Sequence, residues 1–231
     1  MLGKSLLAVL ATAGLVGSAA AADLYIPEVV IEPELFSWTS CYVGAKVTYT
    51  RGTTTSEFPF SDYNTDPTGP GLAPQVGCDW QMPDSPIVLG VVVDAAIEGI
   101  EASSDVVAGP PLQTLTTTLP WSASVRVRAG VAADKILFYA TGGLAVAEVE
   151  NNLVIGGFDE TASNTQFGWT AGLGVEAMVT DDISIFAEYR YTDLGEADFT
   201  FPGADFDGGG LDTLPFGTTT HTIQAGINFR F

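Results

Sequence analysis

The chain has 231 residues, 46% of them hydrophobic and only 16% charged, which is apolar for a soluble exported domain. Its formal charge of −20, from 28 acidic against 8 basic side chains, repels phosphate and argues against a nucleic-acid partner. No stretch beyond the N-terminal segment reaches the roughly 18 uninterrupted apolar residues of a membrane helix; the nearest, "PIVLGVVVDAAI", contains Asp94. A closed β-barrel reconciles these facts, because its lipid-facing residues occupy alternate positions and never form a run.

The opening "MLGKSLLAVLATAGLVGSAAAA" has Lys4, an apolar run from Leu6 to Val16 and small residues up to Ala22. That is the layout of a secretory signal peptide over residues 1–22, with cleavage expected between Ala20 and Asp23 and no cysteine beside it for a lipid anchor. The protein is therefore expected to be exported. Residues 23–37, "DLYIPEVVIEPELFS", carry two prolines and four acids and read as an extended periplasmic leader.

From Trp38 onward, period-two alternation recurs. Strands are predicted at about 38–50, 75–82, 86–98, 121–131, 136–148, 167–178, 183–192 and 221–231, eight in all. "WSASVRVRAGV" is the cleanest: Trp121, Ala123, Val125, Val127, Ala129 and Val131 oppose Ser122, Ser124, Arg126, Arg128 and Gly130. Short turns are predicted near Met82–Pro86, Ala132–Lys135 and Thr180–Asp182, and long polar loops at about 51–74, 99–120, 149–166 and 193–220. Short periplasmic turns and long external loops belong to an all-β, eight-stranded antiparallel transmembrane barrel spanning residues 38–231.

The segments "FSWTSCYVGAKVTYT", "QVGCDWQ", "YATGGLA", "GWTAGLGVE", "AEYRYTDLG" and "HTIQAGINFRF" follow in the order seen in small outer-membrane barrels. They resemble the immunogenic outer-membrane protein and opacity-porin family of Gram-negative bacteria, relatives of the OmpA-type barrel. The resemblance covers most of Trp38–Phe231 and implies a place in the bacterial outer membrane. It also implies that Phe231, with Phe229 in the same lipid-facing row, belongs to a C-terminal signal read by the barrel-assembly machinery.

Fixing the lipid face fixes the lumen. Alternation sends Lys46, Arg126, Arg128, Arg190 and Arg230 inward together with Asp79, Asp94, Glu98, Glu176 and Glu188, a set that sums to zero. Charges taken from bulk water must be paired. The set reads as a cross-linked filling of a narrow barrel, given room by luminal glycines at 44, 90, 130, 172, 174 and 226, more readily than as an ion path.

Catalytic signals are weak: the single histidine, His221, falls on the lipid side near the external rim with no serine close in sequence. No metal spacing, cofactor motif or nucleophile elbow appears. The acidic "DFDGGGLD" lacks the spaced ligands of a calcium loop and reads as solvated, with weak cation bridging to lipopolysaccharide phosphates as the sharper alternative. The expected role is thus a non-enzymatic barrel serving envelope integrity and displaying acidic loops, in contact with outer-membrane lipid and lipopolysaccharide. Its rivals are a small porin with a narrow channel and an adhesin or surface antigen acting through its loops; an outer-leaflet enzyme comes last.

Cys41 and Cys78 are the only cysteines, in a compartment that permits disulfides. The family resemblance implies an aromatic at both positions, and this chain departs at both. With both in lipid-facing rows of antiparallel neighbours, the residue numbers of opposed partners sum to 119 or 121. The first register puts the cysteines opposite each other at about 4.5–5.5 Å between Cα atoms, within reach of a bridge. The second makes them diagonal at about 7–8 Å, as two free thiols against lipid.

Overall fold

The computed structural model describes residues 36–57, 62–106, 113–155, 158–202 and 211–231. The expected signal peptide, nearly all of the leader and most of "DFDGGGLD" lie outside these residues. The strands are β1 (Ser40–Glu57), β2 (Asp62–Thr65), β3 (Thr68–Gln81), β4 (Ile87–Val106) and β5 (Gln113–Ala133). They continue with β6 (Ile136–Ile155), β7 (Phe158–Met178), β8 (Ile183–Pro202) and β9 (Leu211–Arg230). Every pairing is antiparallel, and β9 returns to β1 to close the sheet. Both β2 and β3 pair along β1, so the nine segments make eight staves of a closed barrel.

Lipid-facing rows are apolar and exposed, as in Val43, Val47, Leu72, Val76, Val125, Val127, Leu173 and Ile227. The rows between them are buried and carry most of the polar side chains described below. Of the short turns, those at Met82–Ser85 and Ala133–Lys135 each place an aspartate, Asp84 and Asp134, at φ 54°. Aspartate tolerates that left-handed conformation better than bulkier residues do.

The strands reach well into the four segments expected to be long loops. Above the level of Trp121, Trp169 and His221 the outside is water, so the polarity of the alternation inverts. Ile100, Leu119, Val149, Leu194, Phe199 and Phe216 are buried there, while Glu101, Glu196 and Asp198 face out. A reading that holds the apolar row on one face loses such a strand. On β4, β6 and β9 the inward row simply changes from polar to apolar, whereas on two strands a β-bulge accompanies the change: one on β5 between Thr118 and Ser122, one on β8 between Asp193 and Glu196. Each swaps the parity of its strand, so Trp121 points out but Leu119 points in. Pro120 is tolerated at the first bulge and Gly195 (φ 69°) supplies the left-handed residue of the second.

Above the bulges the barrel also divides. β7 and β8 pair only between Trp169↔Asp193 and Met178↔Ser184, and β3 pairs with β4 no higher than Thr68↔Glu101. The upper parts of β4–β7 form one sheet and those of β8, β9, β1 and β2 another. Ile100, Leu119, Val149, Phe199 and Phe216 pack between them.

One stave is poorly made. The β3–β4 ladder skips Gly69–Pro70 and Ala73–Pro74. Cys41 exchanges both backbone bonds with Phe231, so the even-numbered residues of β3 turn their bonding groups to β4. Pro70 and Pro74 have no N–H to give, and the facing positions Gly99 and Ala95 lack a ladder donor from β3.

Candidate functional site: the filled lumen

All ten charged residues expected in the lumen lie on its side of the sheet. Nine are buried and Glu98 is half-buried. They form two tiers. In the tier nearer the periplasm, Arg128 pairs with Asp79 (3.1 Å) and with Glu176, and Arg230 bridges Asp79 (2.6 Å) and Glu176 (3.0 Å). Ser184 Oγ (2.5 Å) and Asn228 Nδ2 (3.0 Å) also donate to Glu176. In the outer tier Asp94 is held by Lys46 (3.1 Å), Arg126 (2.7 Å) and Arg190 (3.1 Å). Arg126 reaches on to Glu188, which accepts from Gln224 Nε2 (2.6 Å), while Ser122 Oγ donates to Glu98 (3.0 Å). Each tier is neutral by itself, two against two and three against three. Neutrality within each tier matters because unpaired charge in a medium of low dielectric is strongly penalised.

Aromatic residues seat these guanidinium groups. Arg128 lies 3.7 Å from the ring centre of Tyr139, and Arg230 stacks on Trp38 (4.7 Å) and Tyr42 (4.9 Å). The rings need bare backbone opposite them: a Cβ at Gly77 would meet the Tyr42 ring at 2.5 Å, and one at Gly174 the Tyr139 ring at 2.4 Å. Above the outer tier, threonines line the wall, with Thr50–Thr222 and Thr170–Thr192 hydroxyl pairs at 2.9 Å. Internal cavities of about 20 and 10 Å³ remain beside Arg190 and between the tiers, each room for about one water.

Trp38, fully buried, closes the periplasmic end with Val88, Leu137 and Tyr139. Its indole N–H donates to the Asp134 carbonyl (3.0 Å) and its backbone N–H to Gln81 Oε1 (3.0 Å). In the sequence Trp38 reads as the start of a strand, although its even number places it in the same row as Lys46.

Outside the lumen, Phe229 and Phe231 are exposed on the lipid face, and Phe231 bonds through its backbone to Cys41 (3.0 and 3.3 Å). Cys41 and Cys78 oppose each other in the 119 register and are joined by a disulfide, with Cα atoms 3.9 Å apart. His221 sits outward at the external rim, its Nδ1 2.6 Å from the Tyr189 hydroxyl and its ring 5.1 Å from that of Tyr191. Among the described residues no cluster of side chains suited to a metal ion occurs.

A closed barrel of eight strands, apolar outside and ionic within, is the architecture of a bacterial outer-membrane protein. The profile of the outer membrane protein beta-barrel domain matches residues 8–231. A 31 kDa outer-membrane immunogenic protein of Brucella melitensis is 29% identical over 235 residues, covering 93% of this chain and 94% of that one. A 22 kDa outer membrane protein of Rhizobium leguminosarum is 33% identical over 199 residues, covering 84% and 79%. Among solved structures, Neisserial surface protein A aligns with 83% of this chain and 97% of its own at 14% identity and a TM-score of 0.43. The chain belongs to the outer membrane protein beta-barrel domain family, and its place is the outer membrane.

Proposed function

We propose that this protein is a non-enzymatic barrel that reinforces the outer membrane and displays an acidic, partly rigid surface outside the cell. The observation that carries the reading is the lumen: two neutral tiers of buried ion pairs, with water-sized cavities beside Arg190 and between the tiers among the described residues. A barrel so filled has wall strength and no aqueous path. Its lipid-facing rows would contact outer-membrane lipid and lipopolysaccharide, and its terminal Phe229 and Phe231 would engage the barrel-assembly machinery. The hydrogen bond between His221 Nδ1 and the Tyr189 hydroxyl, among aromatic rings on the outer face, favours a rim anchor over a catalytic base. Relatives named as immunogenic support display at the cell surface.

Planar-bilayer recording of the refolded protein tests the sealed lumen. Baseline current is expected; a steady open-channel current would overturn the reading in favour of a narrow porin. Antibodies raised against the refolded barrel should label intact cells, and labelling only after lysis would remove the surface-display part.

A further inference from the structure

The disulfide lies in the lipid-facing rows close to the periplasmic end of the barrel. Both cysteines occupy lipid-facing rows: Cys78 stands between Val76 and Trp80, each 50% exposed, and opposite Val91. Cys41 is flanked by Val43 on its own strand and by Phe231 across the closing seam. Thiol–disulfide exchange needs a thiolate, and low dielectric disfavours that charged form. The pair is also placed on the stave that most needs it. β3 carries Gly69, Pro70, Gly71, Pro74 and Gly77 within 14 residues, so propensity and ladder bonds specify its register weakly. A slip of one residue would send Asp79 and Gln75 to lipid and Cys78 into the lumen. A bridge between opposed Cys41 and Cys78 admits only the 119 register.

We infer that a periplasmic dithiol–disulfide oxidoreductase is a partner of this chain before insertion, and that the bridge it makes sets the register of the first hairpin. In the exchange, the thiolate of one cysteine attacks the enzyme's disulfide and forms a mixed disulfide, expelling one enzyme thiolate. The second cysteine's thiolate then attacks the mixed disulfide and releases the enzyme as a dithiol. Two cysteine thiols are oxidised to one disulfide, one enzyme disulfide is reduced, and the two protons end on the enzyme's sulfurs.

The experiment is a pulse-chase of the full chain in a Gram-negative host, with and without its periplasmic oxidase. Acid quenching and alkylation read the thiols, and heat-modifiable migration reads folding. The bridge should appear before the folded form in the normal host, and both should slow several-fold without the oxidase. The single variant C78S, which lacks the thiol that releases the enzyme, should accumulate a mixed disulfide between Cys41 and the oxidase. The double variant C41S/C78S should assemble slowly in both hosts alike, which separates loss of the staple from general damage to the cell. Folded protein with two free thiols, a bridge forming only after folding, or bridging at an unchanged rate without the oxidase would each overturn the inference. Assembly of the double variant at the rate of the unaltered chain would overturn the staple.

Discussion

The lower and upper halves of the barrel solve opposite problems with the same eight staves. Below the bulges the outside is hydrocarbon, so Val47, Val125 and Leu173 face out while Arg126, Asp94 and Glu176 face in. Above them the outside is water, and Phe199 and Phe216, 5.4 Å apart edge to face, are inside. The lower interior is held by directional ion pairs that tolerate no missing partner. The upper interior is held by apolar contact, as in a soluble two-sheet domain. Polarity follows the solvent on each side of the sheet, and the strand only supplies the alternation.

The largest expected effect is in the lower half. Asp94→Ala leaves Lys46, Arg126 and Arg190 around one vacant anion position, all at most 6% exposed in their side chains. Removing one partner from a buried ionic group costs about 3–5 kcal/mol, read as a lowered urea midpoint for the refolded barrel. Arg128→Ala, which leaves Arg230 as the cation paired with both Asp79 and Glu176, should fall in the same range or just below it. A loss near zero for both would mean that water or counter-ions enter the lumen freely, and the sealed interior would fail with it.

Next comes the upper half. Phe216 is fully buried against Phe199, and its truncation to alanine should cost about 3 kcal/mol through lost contact and a cavity. The loss should be local. Amide exchange and proteolysis of the two upper sheets should rise while the heat-modifiable migration of the barrel persists. If Phe216→Ala abolished that migration, the two halves would be one cooperative unit and the contrast between them would not hold energetically.

The lower half was legible in the sequence because one rule, apolar out and polar in, holds from Cys41 to Tyr49 and from Val125 to Val131. That rule also placed the ten charged residues on the inner face. Which acid meets which base was not legible, since tiers depend on register between strands far apart in the chain, as for Lys46 and Asp94. The upper half reads as loop in the sequence for a physical reason: above Trp121 the rule reverses, and the bulges at Pro120 and Gly195 break the count as well. Gly and Pro punctuation ordinarily signals a turn, and here it marks a change of solvent.

The smallest expected effect asks whether that change of solvent is felt by the backbone. Pro74 pairs with Ala45, deep in the apolar rows, whereas Pro70 pairs with Tyr49 near the external boundary. Alanine at either position restores an N–H aimed at β4, toward Ala95 in one case and Gly99 in the other. Losing proline loosens the unfolded chain and costs about 0.4–1 kcal/mol. Satisfying a carbonyl that no water reaches returns about 1–3 kcal/mol, so Pro74→Ala should stabilise the barrel by about 1 kcal/mol. At position 70 water already serves the carbonyl, and Pro70→Ala should be neutral or slightly destabilising. Unfolding midpoints of the two variants, with hydrogen exchange at the new amides, measure the difference directly. Equal effects at the two positions would mean that the β3–β4 seam meets the same solvent along its length, and the boundary drawn at Tyr49, Trp121 and His221 would have to move.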